Sequence, residues 1–166
     1  MYALKYVQAK SVKEAAAFLA ANPEAKLLAG GMTLIPTLKQ RLARPTHVVD
    51  IAGLSELRGI ASKGGKLVIG AGTRHHDVAT SAVVRKAIPA LAGLAAAIGD
   101  PQVRNRGTIG GSFCQADPSE DLSAVGAALK ATMVIRSSSG TRTVPCREFH
   151  DGPYETVVPY QWDWFD

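Results

Sequence analysis

The chain has 166 residues, 46% hydrophobic and 20% charged, with a net charge of +5; that length buries one sizeable core or two small lobes, and the balance excludes a disordered chain. No uninterrupted apolar stretch is long enough to span a bilayer, and the N-terminus Met1-Tyr2-Ala3-Leu4-Lys5-Tyr6 lacks the apolar core of a signal peptide, so the expectation is a cytoplasmic protein without a membrane span. Basic residues are spread along the chain without a dense run and aromatic residues are too few for stacking platforms, which argues against nucleic-acid binding.

The Ala-rich segment from Ala15 to Ala21 reads as a structural helix packing a small face against a sheet. Lys26-Leu27-Leu28-Ala29 is a short apolar run suited to a buried strand, and Gly30-Gly31 then supplies backbone that takes positive φ and lets a ligand approach closely. Thr33 reads as an N-cap, Pro36 fits a first turn, and Leu34, Ile35, Leu38 and Leu42 recur at helical spacing up to Pro45. A strand, a bare glycine turn and a helix start together present free N–H groups to an anion. The same residues also suit a plain β-α turn in which Gly-Gly relieves crowding. Further on, Leu67 to Ile69 reads as a strand followed by His75-His76-Asp77; adjacent histidines in a strand point to opposite faces, which argues against a shared metal.

An Ala-rich helix from about Ala87 to Ile98 ends at Gly99-Asp100-Pro101 and leads into a second turn, Arg104-Asn105-Arg106-Gly107-Thr108-Ile109-Gly110-Gly111-Ser112, which is polar, basic and glycine-rich. Arg104 and Arg106 are placed to neutralise a pyrophosphate, to meet an acidic partner, or simply to be solvated. Asp117-Pro118-Ser119-Glu120 reads as a helix start, with Asp117 capping, Pro118 at the first helical position and Glu120 closing a capping box. Asp121 lies one residue past that box, either facing solvent or accepting a hydrogen bond from a ribose or adenine. Ser137-Ser138-Ser139-Gly140 reads as a hairpin turn between Thr132 to Arg136 and Arg142 to Pro145. Cys114 and Cys146 are the only two cysteines, too few for an iron–sulfur cluster of the chain's own; Cys114 reads as a small packed side chain. His47 and His150 have no partner visible in sequence, and no catalytic acid, base or nucleophile constellation emerges. That absence suits a protein whose cofactor carries the chemistry.

At this point the residues resemble a family. Ala29-Gly30-Gly31-x-x-Leu34-Ile35-Pro36, then Asp100-Pro101-Gln102-Val103-Arg104-x-x-Gly107-Thr108-Ile109-Gly110-Gly111-Ser112, then Ala116-Asp117-Pro118-x-x-Asp121-Leu122, are similar to the FAD-binding domain of the molybdenum hydroxylases. The likeness is strongest to the medium, flavin-carrying subunits of carbon monoxide and xanthine dehydrogenases, and it runs from about Tyr6 to Thr156. Val48 to Ile51 and Leu67 to Thr73 also sit where that family has strands and a flavin-side loop, and one of the histidines after Thr73 is expected near the flavin.

The resemblance implies an α/β (α+β) fold: a two-lobed FAD-binding domain of the PCMH, or vanillyl-alcohol-oxidase, type. It has a small βαβ lobe over residues 1–55 and a second α/β lobe over residues 56–156, with an atypical tail at 157–166 and the family's C-terminal domain absent. This is not a Rossmann site, since neither turn gives Gly-x-Gly-x-x-Gly after a strand. Cofactor contacts implied are Ala29, Gly30, Gly31, Met32, Thr33 and Leu34 around the FAD pyrophosphate, Thr73, Thr108, Gly110, Gly111 and Ser112 as a second set, and Asp121 at the adenosine end. Implied partners are a molybdopterin large subunit and a [2Fe–2S] small subunit, whose clusters would reduce the flavin before it passes electrons to an external acceptor. Carbon monoxide is the first-choice substrate of the whole enzyme, with an aldehyde or heterocycle next.

The chain departs from the family in three places. Met32-Thr33 stands where relatives usually place small or polar residues, and Ser112 stands where many have asparagine. After Thr156 the family continues for roughly another hundred residues, the size of an ordinary domain, whereas here an aromatic tail ends at Asp166. The expectation is a shortened medium subunit whose uncovered apolar surface favours a homodimer. Two other readings follow: a non-catalytic member that no longer holds FAD, and a stand-alone flavin reductase of the wider fold family.

Overall fold

The computed structural model describes residues 1–158 and the backbone of 164–165. The first part of the chain builds a three-stranded parallel sheet in the order β1-β3-β2, from β1 (Lys5–Gln8), β2 (Lys26–Leu28) and β3 (His47–Asp50). Helix α1 (Val12–Ala21) crosses between β1 and β2; it opens on Ser11, whose hydroxyl accepts from the Glu14 amide while the Glu14 carboxylate accepts from the Lys10 amide, a reciprocal cap. Its small apolar face, Ala15, Ala16 and Leu19, is buried against Val49, Ile51, Leu54 and Leu57 to form one core. The Tyr6 hydroxyl donates to Asp50 at 2.6 Å, tying the outer face of β1 to β3.

Helix α2 (Leu34–Lys39) is shorter than its apolar spacing suggests. The chain turns left-handed at Arg41 (φ 62), so the expected run to Pro45 breaks and Leu42 points to solvent at 74% exposure. Thr33 sits at the N-cap position with helical backbone and caps nothing through its side chain; its carbonyl instead accepts from the Thr37 amide and hydroxyl.

An antiparallel hairpin, β4 (Ile60–Lys63) and β5 (Lys66–Ile69), leads into five helices: α3 (His75–Thr80), α4 (Ala82–Ala87), α5 (Pro89–Ala97), α6 (Pro101–Arg104) and α7 (Ile109–Gln115). Helix α8 (Asp121–Ala128) follows, then the hairpin of β6 (Thr132–Ser137) and β7 (Gly140–Pro145), whose turn falls at Ser138 and Ser139 as the serine run predicts. A second core gathers Val78, Val84, Leu91, Ile109, Phe113, Leu122, Ile135 and Phe149. A small pair, β8 (His150–Gly152) and β9 (Glu155–Thr156), closes this part. Of the atypical tail, Val157 and Val158 pack against the second core and the backbone of β10 (Trp164–Phe165) pairs antiparallel with β6, while residues 159–163 and 166 lie outside the described residues.

Two sequence expectations change here. His75 and His76 open a helix, because Arg74 leaves the β5 hairpin in extended conformation and its partner across an antiparallel bridge is Thr108. The capping box at Asp117 does not form: Asp117 turns onto the Ser119 amide and hydroxyl at 3.0 and 2.8 Å, so α8 starts only at Asp121, with Glu120 at its N-cap and no side-chain cap bond.

Phe149 is fully buried at 0% exposure at the centre of the second core. Phe149→Ala is expected to cost about 3–5 kcal/mol, read as a lowered denaturant midpoint by far-UV circular dichroism.

Candidate functional site

The two glycine turns meet in space. A Cβ built on Gly30 would stand 2.1 Å from the carbonyl oxygen of Arg106, and Gly107 in turn lies against the His75 ring. Gly31 has φ +77, and a side chain there would strike Leu28 and Ile35. The first turn therefore needs glycine twice, once for close backbone approach and once for a left-handed bend.

Around this junction opens a concave pocket of about 410 Å³, in the size range of small-molecule sites. Gly30, Gly31, Met32, Thr33 and Leu34 form one wall; Gly107, Thr108, Gly110, Gly111 and Ser112 form the facing one. The amides of Gly30, Gly31, Met32, Thr33 and Leu34 donate to no acceptor among the described residues. Consecutive N–H groups without a protein acceptor, on residues that line a concave pocket, are suited to an anion.

The second turn is built differently from the first. Its amides are already engaged: Gly110 donates to Ala71 at 2.9 Å, Gly111 to the Thr108 hydroxyl at 3.2 Å and Ser112 to the Thr108 carbonyl at 3.1 Å. Thr108 thus caps α7, and Gly110 is required because a Cβ there would fall 2.5 Å from that of Ala71. What this wall offers the pocket is glycine backbone of low relief and hydroxyl groups.

Of the remaining residues expected at the site, Ala29 lines the pocket. Thr73 is buried outside it, its hydroxyl bridging the Gly59 amide and carbonyl, and Asp121 is exposed at the start of α8 and off the pocket wall. Arg104 is spent on structure, donating to the carbonyls of Ile98 and Gly99. Cys114, expected to be packed, is exposed on the pocket wall.

Two pocket residues were not legible as a pair. His75 is 2% exposed, and its Nε2 lies 3.1 Å from the Ser112 hydroxyl; burial pulls its pKa down to about 4, so the ring is neutral at pH 7. Glu120 projects from the same wall with Oε2 buried and without a hydrogen-bond partner among the described residues. Desolvation raises its pKa, with Asp117 acting in the same direction, while the Ser112 hydroxyl and His150 oppose the shift. No sequence signal separates this Glu120 from a capping glutamate.

Residues 2–161 match the family described as the FAD binding domain in molybdopterin dehydrogenase. The chain belongs to that family. The FAD-binding domain is 45% identical over 155 residues to the carbon monoxide dehydrogenase medium chain of Hydrogenophaga pseudoflava, covering 93% of this chain and 54% of the relative. It is 42% identical over 151 residues to the glyceraldehyde dehydrogenase medium chain of Sulfolobus acidocaldarius, covering 91% and 54%. In structure it matches quinoline 2-oxidoreductase from Pseudomonas putida 86 with a TM-score of 0.95 at 36% identity, covering 99% of this chain and 57% of that one. The chain spans about half the length of the curated relatives it matches. No helix among the described residues is long and apolar enough to cross a membrane.

The FAD-binding domain makes two predictions. Gly30→Ala places a methyl group against the backbone carbonyl of Arg106, which no rotamer change relieves; the expected cost is about 1–3 kcal/mol, measured by chemical denaturation. For His75, the unfolded chain takes up a proton near pH 6.5 and the folded chain only near pH 4. Its share of stability is therefore complete above pH 6.5 and is lost as the pH falls towards 4, by up to about 3 kcal/mol. Unfolding free energies of His75→Gln should lack that component of the acid slope.

Proposed function

We propose that this chain holds FAD between its two glycine turns and serves as the electron-transferring flavin subunit of a molybdenum-containing dehydrogenase. The observation that carries the reading is the run of unpaired amides from Gly30 to Leu34 beside a glycine surface. A pyrophosphate supplies the acceptors those amides lack, and the low relief at Gly110 and Gly111 admits it. Met32, 38% exposed, stands at the pocket edge where it can cover the bound dinucleotide without blocking it.

Bound flavin supplies the redox chemistry, accepting electrons from one donor and releasing them to another. The chain's own contribution is placement. Gly30 to Leu34 fix the phosphates, Thr108 and Ser112 present hydroxyls, and neutral His75 holds the Ser112 hydroxyl in position. The apolar wall of Leu19, Leu27, Ile51 and Val103 keeps water from the rest of the pocket. The pocket's serine–histidine pair, Ser112 and His75, has a ring whose burial lowers its pKa to about 4, too weak a base to activate the hydroxyl at pH 7, which suits a role in holding the cofactor.

In this reading the electrons come from the [2Fe–2S] clusters of a small partner subunit, downstream of a molybdopterin large subunit that binds the substrate. We assign carbon monoxide as that substrate on the identity to the Hydrogenophaga protein; the 42% identity to the glyceraldehyde dehydrogenase chain favours an aldehyde as the second reading.

Purified chain mixed with FAD and passed through gel filtration should retain flavin absorption bands at about 370 and 450 nm. A colourless protein peak overturns the reading. Co-expression with candidate large and small subunits should then yield one complex whose flavin bleaches on addition of the substrate.

A further inference from the structure

The wall opposite the first turn carries a group that pyrophosphate binding does not use. Glu120 reaches the pocket from the residue preceding α8. One carboxyl oxygen is shielded from solvent and lacks a partner, although the side chain as a whole is only half buried. Beside it, Ser112 is held by the buried His75 ring at 3.1 Å, so the serine hydroxyl has limited freedom to serve both carboxyl oxygens. Asp117, whose charge acts on Glu120, accepts from the Ser119 amide and hydroxyl. A buried carboxyl oxygen left in this state is poorly solvated, and a hydrogen-bond donor entering the pocket relieves it. The half-exposed side chain lines the pocket, within reach of a donor on a bound ligand.

An anionic group is the wrong occupant for this spot, since two negative charges in a partly desolvated pocket repel strongly. What fits is a neutral hydroxyl donor at a distance from the phosphates. A flavin dinucleotide has such donors on both sides of its pyrophosphate, on the ribityl chain and on the ribose.

Resting on the reading of this pocket as an FAD site, we propose that Glu120 is a binding residue that accepts a hydrogen bond from a polyol hydroxyl of the dinucleotide, with Ser112 and His75 as the positioning residues behind it. Glu120 thereby sets the register of the ligand along the groove: the amides of the first turn fix the phosphates, and Glu120 fixes how far the sugar chain lies from them.

Calorimetric titration of the full chain with FAD tests this, comparing wild type with Glu120→Ala and Glu120→Gln. Glu120→Ala should weaken FAD binding about tenfold, the loss of one hydrogen bond to a charged group, and Glu120→Gln, which keeps an acceptor oxygen, should recover much of it. The melting temperature of ligand-free Glu120→Ala should equal or exceed that of wild type, because the substitution removes an unpaired buried oxygen. Parallel titrations with FMN and with ADP assign the hydroxyl: the half that loses affinity in Glu120→Ala carries it. Wild type that takes up no FAD overturns this inference together with the proposed function. Wild type that binds FAD while both variants bind equally well overturns the role of Glu120 alone.

Discussion

Everything at the pocket depends on the approach of Gly30 to the carbonyl of Arg106. A contact that would leave a Cβ only 2.1 Å from a backbone oxygen is open to glycine alone, and it is made between segments far apart in sequence. It brings the strand-turn-helix unit around β2 and α2 against the loop that starts α7. The pocket is the concave space left beside that contact, so its shape is fixed by main chain and not by adaptable side chains. The same principle recurs one layer back, where Gly70 and Gly72 lie against the Leu57 carbonyl and Gly110 against Ala71.

With main chain setting the walls, the division of labour between the turns follows from hydrogen-bond satisfaction. Gly30 to Leu34 leave β2 before the short helix α2 can absorb their donors. The second turn, by contrast, is held between Thr73, Ala71 and its own Thr108 cap, which consumes its amides. Similar glycine pairs thus end with opposite chemistry, one presenting donors and the other a smooth surface with hydroxyls.

That contrast marks how far the sequence could be read. Both glycine turns, the strand at Lys26 to Leu28 and the Ser-rich hairpin were legible because glycine, alternation and turn chemistry act locally. The bond satisfaction of the second turn was not, since its acceptors at Thr73 and Ala71 arrive from an earlier loop. Helix α2 stopped short because Arg41 bends left-handed, which helical spacing alone does not reveal. Asp117 and Glu120 fit a capping box in every local respect. The competing Asx turn onto Ser119 took Asp117 away and left Glu120 to the pocket. Thr73 was expected at the cofactor and instead pins the backbone at Gly59.

The unpaired amides of the first turn also set the physical character of any anion bound there. A phosphate seated on backbone dipoles is held by groups whose positions the main chain fixes, not by the reach of a long side chain. Its placement then depends on the rigidity of the polypeptide itself.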